Sequence, residues 1–110
     1  MNAHMLGMAA CMLMTAGSAV AQQGDPSAAL DKRSICIGCH GIPGYRTAYP
    51  AVYPVPKLGG QHAAYIVRAL QAYRGGERNH PSMRAIAQSL TDQDMADLAA
   101  YYAMPREGAK

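Results

Sequence analysis

The chain has 110 residues, a formal net charge of +3 and neither Phe nor Trp, which limits it to a single domain with a small aromatic content. So mild a basic excess argues against nucleic acid as a partner and suits an acidic protein surface.

Residues 1–21 contain no Lys, Arg, Asp or Glu and hold five of the eight methionines. An apolar run from Leu6 to Met14 leads to Ala19-Val20-Ala21, the A-x-A ending of a secretory signal peptide, with cleavage expected after Ala21. The opening lacks the usual Lys or Arg, so an uncleaved membrane anchor is the competing reading, although the apolar core is short for one. Cys11 lies within this segment with apolar residues after it, and is not expected to mark a lipoprotein cleavage site.

Residues 22–110 form the expected mature domain. They hold all 17 formally charged side chains but only 13 Leu, Ile and Val. That share is below the ~20% associated with disorder, yet the net charge is modest and the apolar residues fall in helical patterns. A small exported domain with so thin a core needs staples, a metal or a large cofactor. One disulfide between cysteines three apart closes too small a loop to make up the deficit.

Asp25-Pro26 pairs an N-cap residue with a proline at the first helical position, predicting a helix to about Ile35. The cluster Cys36-Ile37-Gly38-Cys39-His40 stands at its end. Residues 41–60, GIPGYRTAYPAVYPVPKLGG, contain four prolines and three tyrosines (Tyr45, Tyr49 and Tyr53), and are predicted to form a long structureless loop with neither helix nor central strand. A loop of that length in so small a domain reads as functional, with apolar bulk to wrap something. A second helix is predicted from about His62 to Tyr73, with Ile66, Leu70 and Tyr73 on one stripe and Gly75-Gly76 as its stop. A brief third spans Arg84 to Ser89. The last begins at Thr91, where Thr-Asp-Gln-Asp resembles a capping box with Asp94 in place of Glu, and is closed by Pro105. Met95, Leu98 and Tyr102 line its inner face, and Ala99 to Tyr102 are expected to pack it against the first helix.

The cluster carries the chemistry. Two thiols in C-x-x-C-H spacing can add across the two vinyl groups of haem, and the adjacent His40 is then held under the iron as its proximal ligand. Haem is also a large apolar plate around which a few short helices can fold. Three other readings compete. A thioredoxin-like C-x-x-C wants a βαβ pattern that the chain lacks. A zinc site from Cys36, Cys39, His62 and His80 has unusual histidine spacing. A plain disulfide leaves His40 and the thin core unexplained.

CIGCHG (36–41), YPVPKLGGQ (53–61), YIVRALQAYRGGER (65–78) and PSMRAIAQSLTDQDMADLAAYYA (81–103) together resemble a class I c-type cytochrome of the small soluble bacterial kind, the cytochrome c4 and c553 type. Relatives in this branch include two-haem proteins built from a doubled domain. The resemblance implies an all-α fold of about four short helices around one haem c attached through Cys36 and Cys39, with the Tyr/Pro-rich loop as a longer feature of this chain. It further implies Met83 as the second axial ligand, in the loop before the final helices, and a thioether there raises the reduction potential. Met95 reads as helix core and Met104 as end packing. His80 is the rival ligand and is otherwise a solvated loop residue; His62 reads as a surface residue. The resemblance also implies that Pro56 presents its carbonyl to the ring of His40, the alternative being that it merely ends the loop. Arg78 or Arg84, or a loop tyrosine, would neutralise a haem propionate; each could equally be solvated.

The function this implies is a periplasmic carrier of single electrons, not an enzyme. Its partners would be redox proteins: a respiratory donor and an acceptor such as a terminal oxidase or a dehydrogenase. It would meet a membrane only through a partner or an uncleaved leader. The alternatives are a haem subunit permanently docked to a dehydrogenase, or a gas-binding or peroxidatic haem if Met83 dissociates easily.

Overall fold

Asp25 sets the first turn of the protein: its carboxylate accepts hydrogen bonds from the Ser27 amide at 2.9 Å and from the Ser27 hydroxyl. The computed structural model describes residues 23–48 and 52–104. The leader, Tyr49 and the Pro105 stop lie outside the described residues. Because the Asp25 side chain competes for the local amides, the predicted first helix does not run unbroken to Ile35. A single 3-10 turn, Ala28–Asp31, is followed by α1, Ser34–His40. The cysteine cluster is therefore not the tail of an earlier helix but a helix of its own.

Residues 41–60 also depart from the predicted structureless loop. Strands β1 (Arg46–Thr47) and β2 (Tyr53–Pro54) form an antiparallel ribbon with Arg46 opposite Pro54 and Thr47 opposite Tyr53. The Val55 amide extends it by donating to the Tyr45 carbonyl at 3.0 Å. The prolines forbid a sheet centre, but a pair this short is all edge and tolerates them.

Helix α2, Ala63–Gly75, starts after an extended His62 and stops where Gly76 turns left-handed at φ 83°, a conformation that a side chain would strain. Helix α3 runs from Pro81 to Gln88, three residues earlier than predicted. Proline at its first position costs no hydrogen bond, and the His80 ring accepts the Met83 amide at 3.4 Å as an N-cap. His80 is thus a half-buried cap and not a solvated loop residue, and Met83 lies in the first turn of α3 and not in a loop.

Helix α4, Asp92–Ala103, begins in a reciprocal capping box: the Thr91 hydroxyl accepts the Asp94 amide at 3.1 Å, and the Asp94 carboxylate accepts the Thr91 amide at 2.9 Å. It is the central element, packed against both α2 and the 3-10 turn, while α3 packs on α2. Met95, Leu98 and Tyr101 are its largest fully buried side chains, and Met104 packs at its end.

One buried charge ties the N-terminal segment to α4. Asp97, only 2% exposed, accepts from the Asp25 amide, the Lys32 amine and the Gln93 side-chain amide, each at 2.8 Å. Lys32 also reaches Asp94 at 2.7 Å, and Arg33 donates to the Tyr101 hydroxyl. The Asp25 amide and then Lys32 hold the Asp97 carboxyl below its ordinary range; Lys32 and then the Thr91 amide bring Asp94 to about 2. Depressed carboxylates stabilise the fold above the unfolded value and lose that contribution as pH falls through the folded one.

Asp97→Ala is expected to cost about 1.5–2 kcal/mol, the low end for hydrogen bonds to a charged group because the Lys32 side chain is 30% exposed. Thermal melts check it. The wild-type melting temperature should fall as pH drops from about 4 towards 2, and Asp97→Asn should show a smaller fall over the same window.

Candidate functional site

Three residues apart in α1, Cys36 and Cys39 fall on one face of the helix. Both thiols are free and line a cavity of about 480 Å³, a size within the ~300–1,000 Å³ of sites for small organic ligands. Its walls are mostly apolar: Ile66 and Leu70 from α2, Ile86 from α3, Leu98 and Tyr102 from α4. Burial pushes the Cys36 thiol up to about 11, with the nearby Tyr102 hydroxyl opposing the shift. A thiol of that kind stays protonated at neutral pH, the opposite of the low-pKa thiolate that disulfide exchange requires.

His40 follows on the last position of α1. Its Nδ1 lies 2.7 Å from the Pro56 carbonyl oxygen. A carbonyl can only accept, so Nδ1 carries the proton and Nε2 keeps its lone pair, the tautomer needed for a metal ligand. Both residues line the cavity. The glycine after His40 has a steric reason. A Cβ at Gly41 would stand 2.7 Å from the Ile37 carbonyl oxygen, so the chain can leave α1 this tightly only without a side chain.

Met83 and His80 both line the cavity from the start of α3. The His80 ring is already engaged: Nδ1 caps the helix, and the ring packs edge-on against Tyr53 at 5.4 Å between centroids. Arg78 reaches the cavity with its guanidinium 4.6 Å over the Tyr73 ring. Arg84, paired with it in the sequence reading, is not in the lining; its guanidinium lies beside Gly76. The helical register carries it there, because Arg84 follows Met83 directly on α3 and so projects from another side of the helix.

The zinc reading does not assemble. Among the described residues no three His, Cys, Asp or Glu side chains gather as a metal-binding group. His62 stands exposed at the N-cap of α2, away from the cavity lining. What the cavity does fit is haem. It is apolar, two thiols sit at one edge, an imidazole offers a free Nε2, and a buried tyrosine hydroxyl in its lining has no protein partner.

The family model for cytochrome c matches residues 28–103. The chain belongs to the cytochrome c family. It is 44% identical over 82 residues to cytochrome c-554(548) of Halomonas halodenitrificans, covering 72% of this chain and 94% of that relative. It is 42% identical over 88 residues to the cytochrome c4 of Thiocapsa roseopersicina, covering 78% of this chain and 43% of that protein. The solved cytochrome c4 of Acidithiobacillus ferrooxidans superposes with a TM-score of 0.54 at 34% identity, over 69% of this chain and 45% of that one. The chain thus spans nearly all of the first relative and less than half of each of these two cytochromes c4. The fold is that of a class I cytochrome c, and the protein is an electron-transfer cytochrome with haem c attached covalently through Cys36 and Cys39.

Several lining residues carried no local signal. Thr47 and Val55 face the cavity only because the ribbon folds back over it, Tyr65 comes to it from the first turn of α2, and Tyr102 reads in sequence as core alone. The density of tyrosine and proline in residues 41–60 was the available hint.

Each thiol tethers its own edge of the ring. Cys36→Ala and Cys39→Ala are therefore each expected to leave one thioether and one free vinyl group, moving the reduced pyridine haemochrome band to longer wavelength. The double substitution should abolish covalent haem, checked by haem staining after denaturing electrophoresis.

Proposed function

We propose that His40 through Nε2 and Met83 through its thioether sulfur are the two axial ligands, and that the protein works in the bacterial periplasm as a carrier between redox proteins. The observation that carries this reading is the 2.7 Å contact of His40 Nδ1 with the Pro56 carbonyl, which fixes the tautomer and aim of the ring in a cavity that Met83 also lines. Bound haem c supplies a redox centre whose iron gains or loses one electron.

The chain's own residues determine how that centre behaves. Pro56 raises the basicity of His40 and prevents its ring from turning. A Met83 thioether favours the ferrous state and raises the potential. His80, committed to capping α3 and packed on Tyr53, supports Met83 by fixing the turn that carries it. The apolar walls keep water from the metal, and Arg78 is the cation in the lining suited to a propionate.

Export is supported by the A-x-A ending of the leader and by the need of thiols for attachment to haem. Among the described residues no helix is long and apolar enough to cross a membrane. Charge placement supports an acidic docking partner. Lys57 and Arg78 lie at the cavity, whereas Asp92, Asp94 and Asp97 of α4 are each paired with a cation elsewhere.

Met83→Ala is expected to abolish the weak long-wavelength ferric band of sulfur ligation and to lower the potential by on the order of 0.1 V, within the ~0.8 V range that axial ligands span. His80→Ala should keep the band. A wild-type ferric spectrum without that band would rule out Met83 and point to His80 or an open site. Rapid carbon monoxide binding by the reduced wild type would favour a ligand-binding haem over a carrier.

A further inference from the structure

Helix α4 carries two adjacent buried tyrosines whose hydroxyls fare differently. Tyr101, 1% exposed, has its hydroxyl bonded to Arg33. Tyr102, 2% exposed, lines the cavity, and its hydroxyl is the one buried side-chain polar atom among the described residues without a hydrogen-bond partner. An orphaned buried hydroxyl is destabilising, and native proteins rarely keep one without a reason.

The ring has little freedom to turn elsewhere. It packs edge-on against Tyr101 at 5.0 Å and 88°, and the Tyr102 backbone carbonyl accepts the Gly60 amide at 2.8 Å. Cys36 packs against the core cluster to which Tyr102 belongs, and both residues line the same cavity. Phenylalanine or leucine would fill the same space without an unmet donor. The hydroxyl is therefore left for a bond that forms only once the cavity is filled and the Cys36 sulfur is held at the edge of the ring.

We propose that Tyr102 is a positioning residue for the attached haem: its hydroxyl donates a hydrogen bond to the Cys36 sulfur in the thioether linkage, fixing that edge of the ring and drawing electron density from it. A thioether sulfur is a weak acceptor, but in an apolar, water-poor wall a weak acceptor is preferable to none. Withdrawal of density from the ring disfavours the ferric state, so the contact raises the potential. The inference rests on covalent haem at Cys36, which the spectrum of either protein verifies separately from the role of Tyr102.

The test compares wild-type holoprotein with Tyr102→Phe, which removes the oxygen and leaves the ring. The hydrogen bond predicts a lower melting temperature and a lower reduction potential, read as a severalfold smaller ferrous-to-ferric ratio at fixed applied potential. It also predicts a slowly exchanging hydroxyl proton in the wild-type NMR spectrum, close to the Cys36 β-protons and absent from the variant. This last readout does not depend on how well the variant folds. A hydroxyl left idle gives the opposite sign, since deleting a buried orphan is neutral or stabilising. An unchanged or raised melting temperature with an unchanged potential overturns the proposal. A lowered melting temperature with an unchanged potential and no such proton places the partner elsewhere, in buried water, and overturns it too.

Discussion

About 480 Å³ of mostly apolar space, walled by α1, α2, α3, α4 and the ribbon, is the constraint on which the rest of the structure depends. A domain this small has few large side chains with which to build a centre, and those of α4 are spent on one side of it. Met95, Leu98 and Tyr101 pack inward, whereas α1 contributes no fully buried residue. Helices α2, α3 and α4 pack on one another at one side, and the cavity takes the place of a centre between them, α1 and the ribbon. Haem held by Cys36 and Cys39 turns that arrangement into a closed core, because its apolar faces supply the contact area that the chain lacks.

Within that frame, each local feature acts on the position of a side chain at the cavity. Gly41 lets the chain leave α1 sharply, which permits the Pro56 segment to reach His40. Pro81 and His80 open α3 early and place Met83 on its first turn. The Asp97 network acts at a distance: it clamps the segment before α1 to α4, the element that also presents Leu98 and Tyr102. Its charges lie outside the cavity lining, so the site keeps an apolar interior while the strongest electrostatics of the fold work behind it.

The parts of this protein legible in its sequence are those set by local chemistry. C-x-x-C-H, the Thr91 capping box and the Gly76 stop each depend on residues within a few positions; the cap and the stop stand at the predicted positions, while the cysteine cluster forms α1 itself instead of ending an earlier helix. The misread boundaries came from competing local signals. Asp25 looked like a helix cap but closes a turn on Ser27, and Pro81 looked like a loop proline but starts a helix. The ribbon and the grip of Asp97 on Lys32 depend on contacts many residues apart, for which a single sequence carries no periodic or spacing signal.

The central claim is that covalent haem completes the core. Its most direct test is hydrogen exchange with thermal denaturation on two forms: the holoprotein, and the chain with both Cys36 and Cys39 replaced by alanine and free of haem. If the claim holds, the holoprotein protects the amides of α2 and α4 and melts cooperatively, whereas the haem-free chain shows little protection and no cooperative melt. A haem-free chain with the same protected amides and a comparable melting temperature would mean that the protein core suffices alone, and would contradict it.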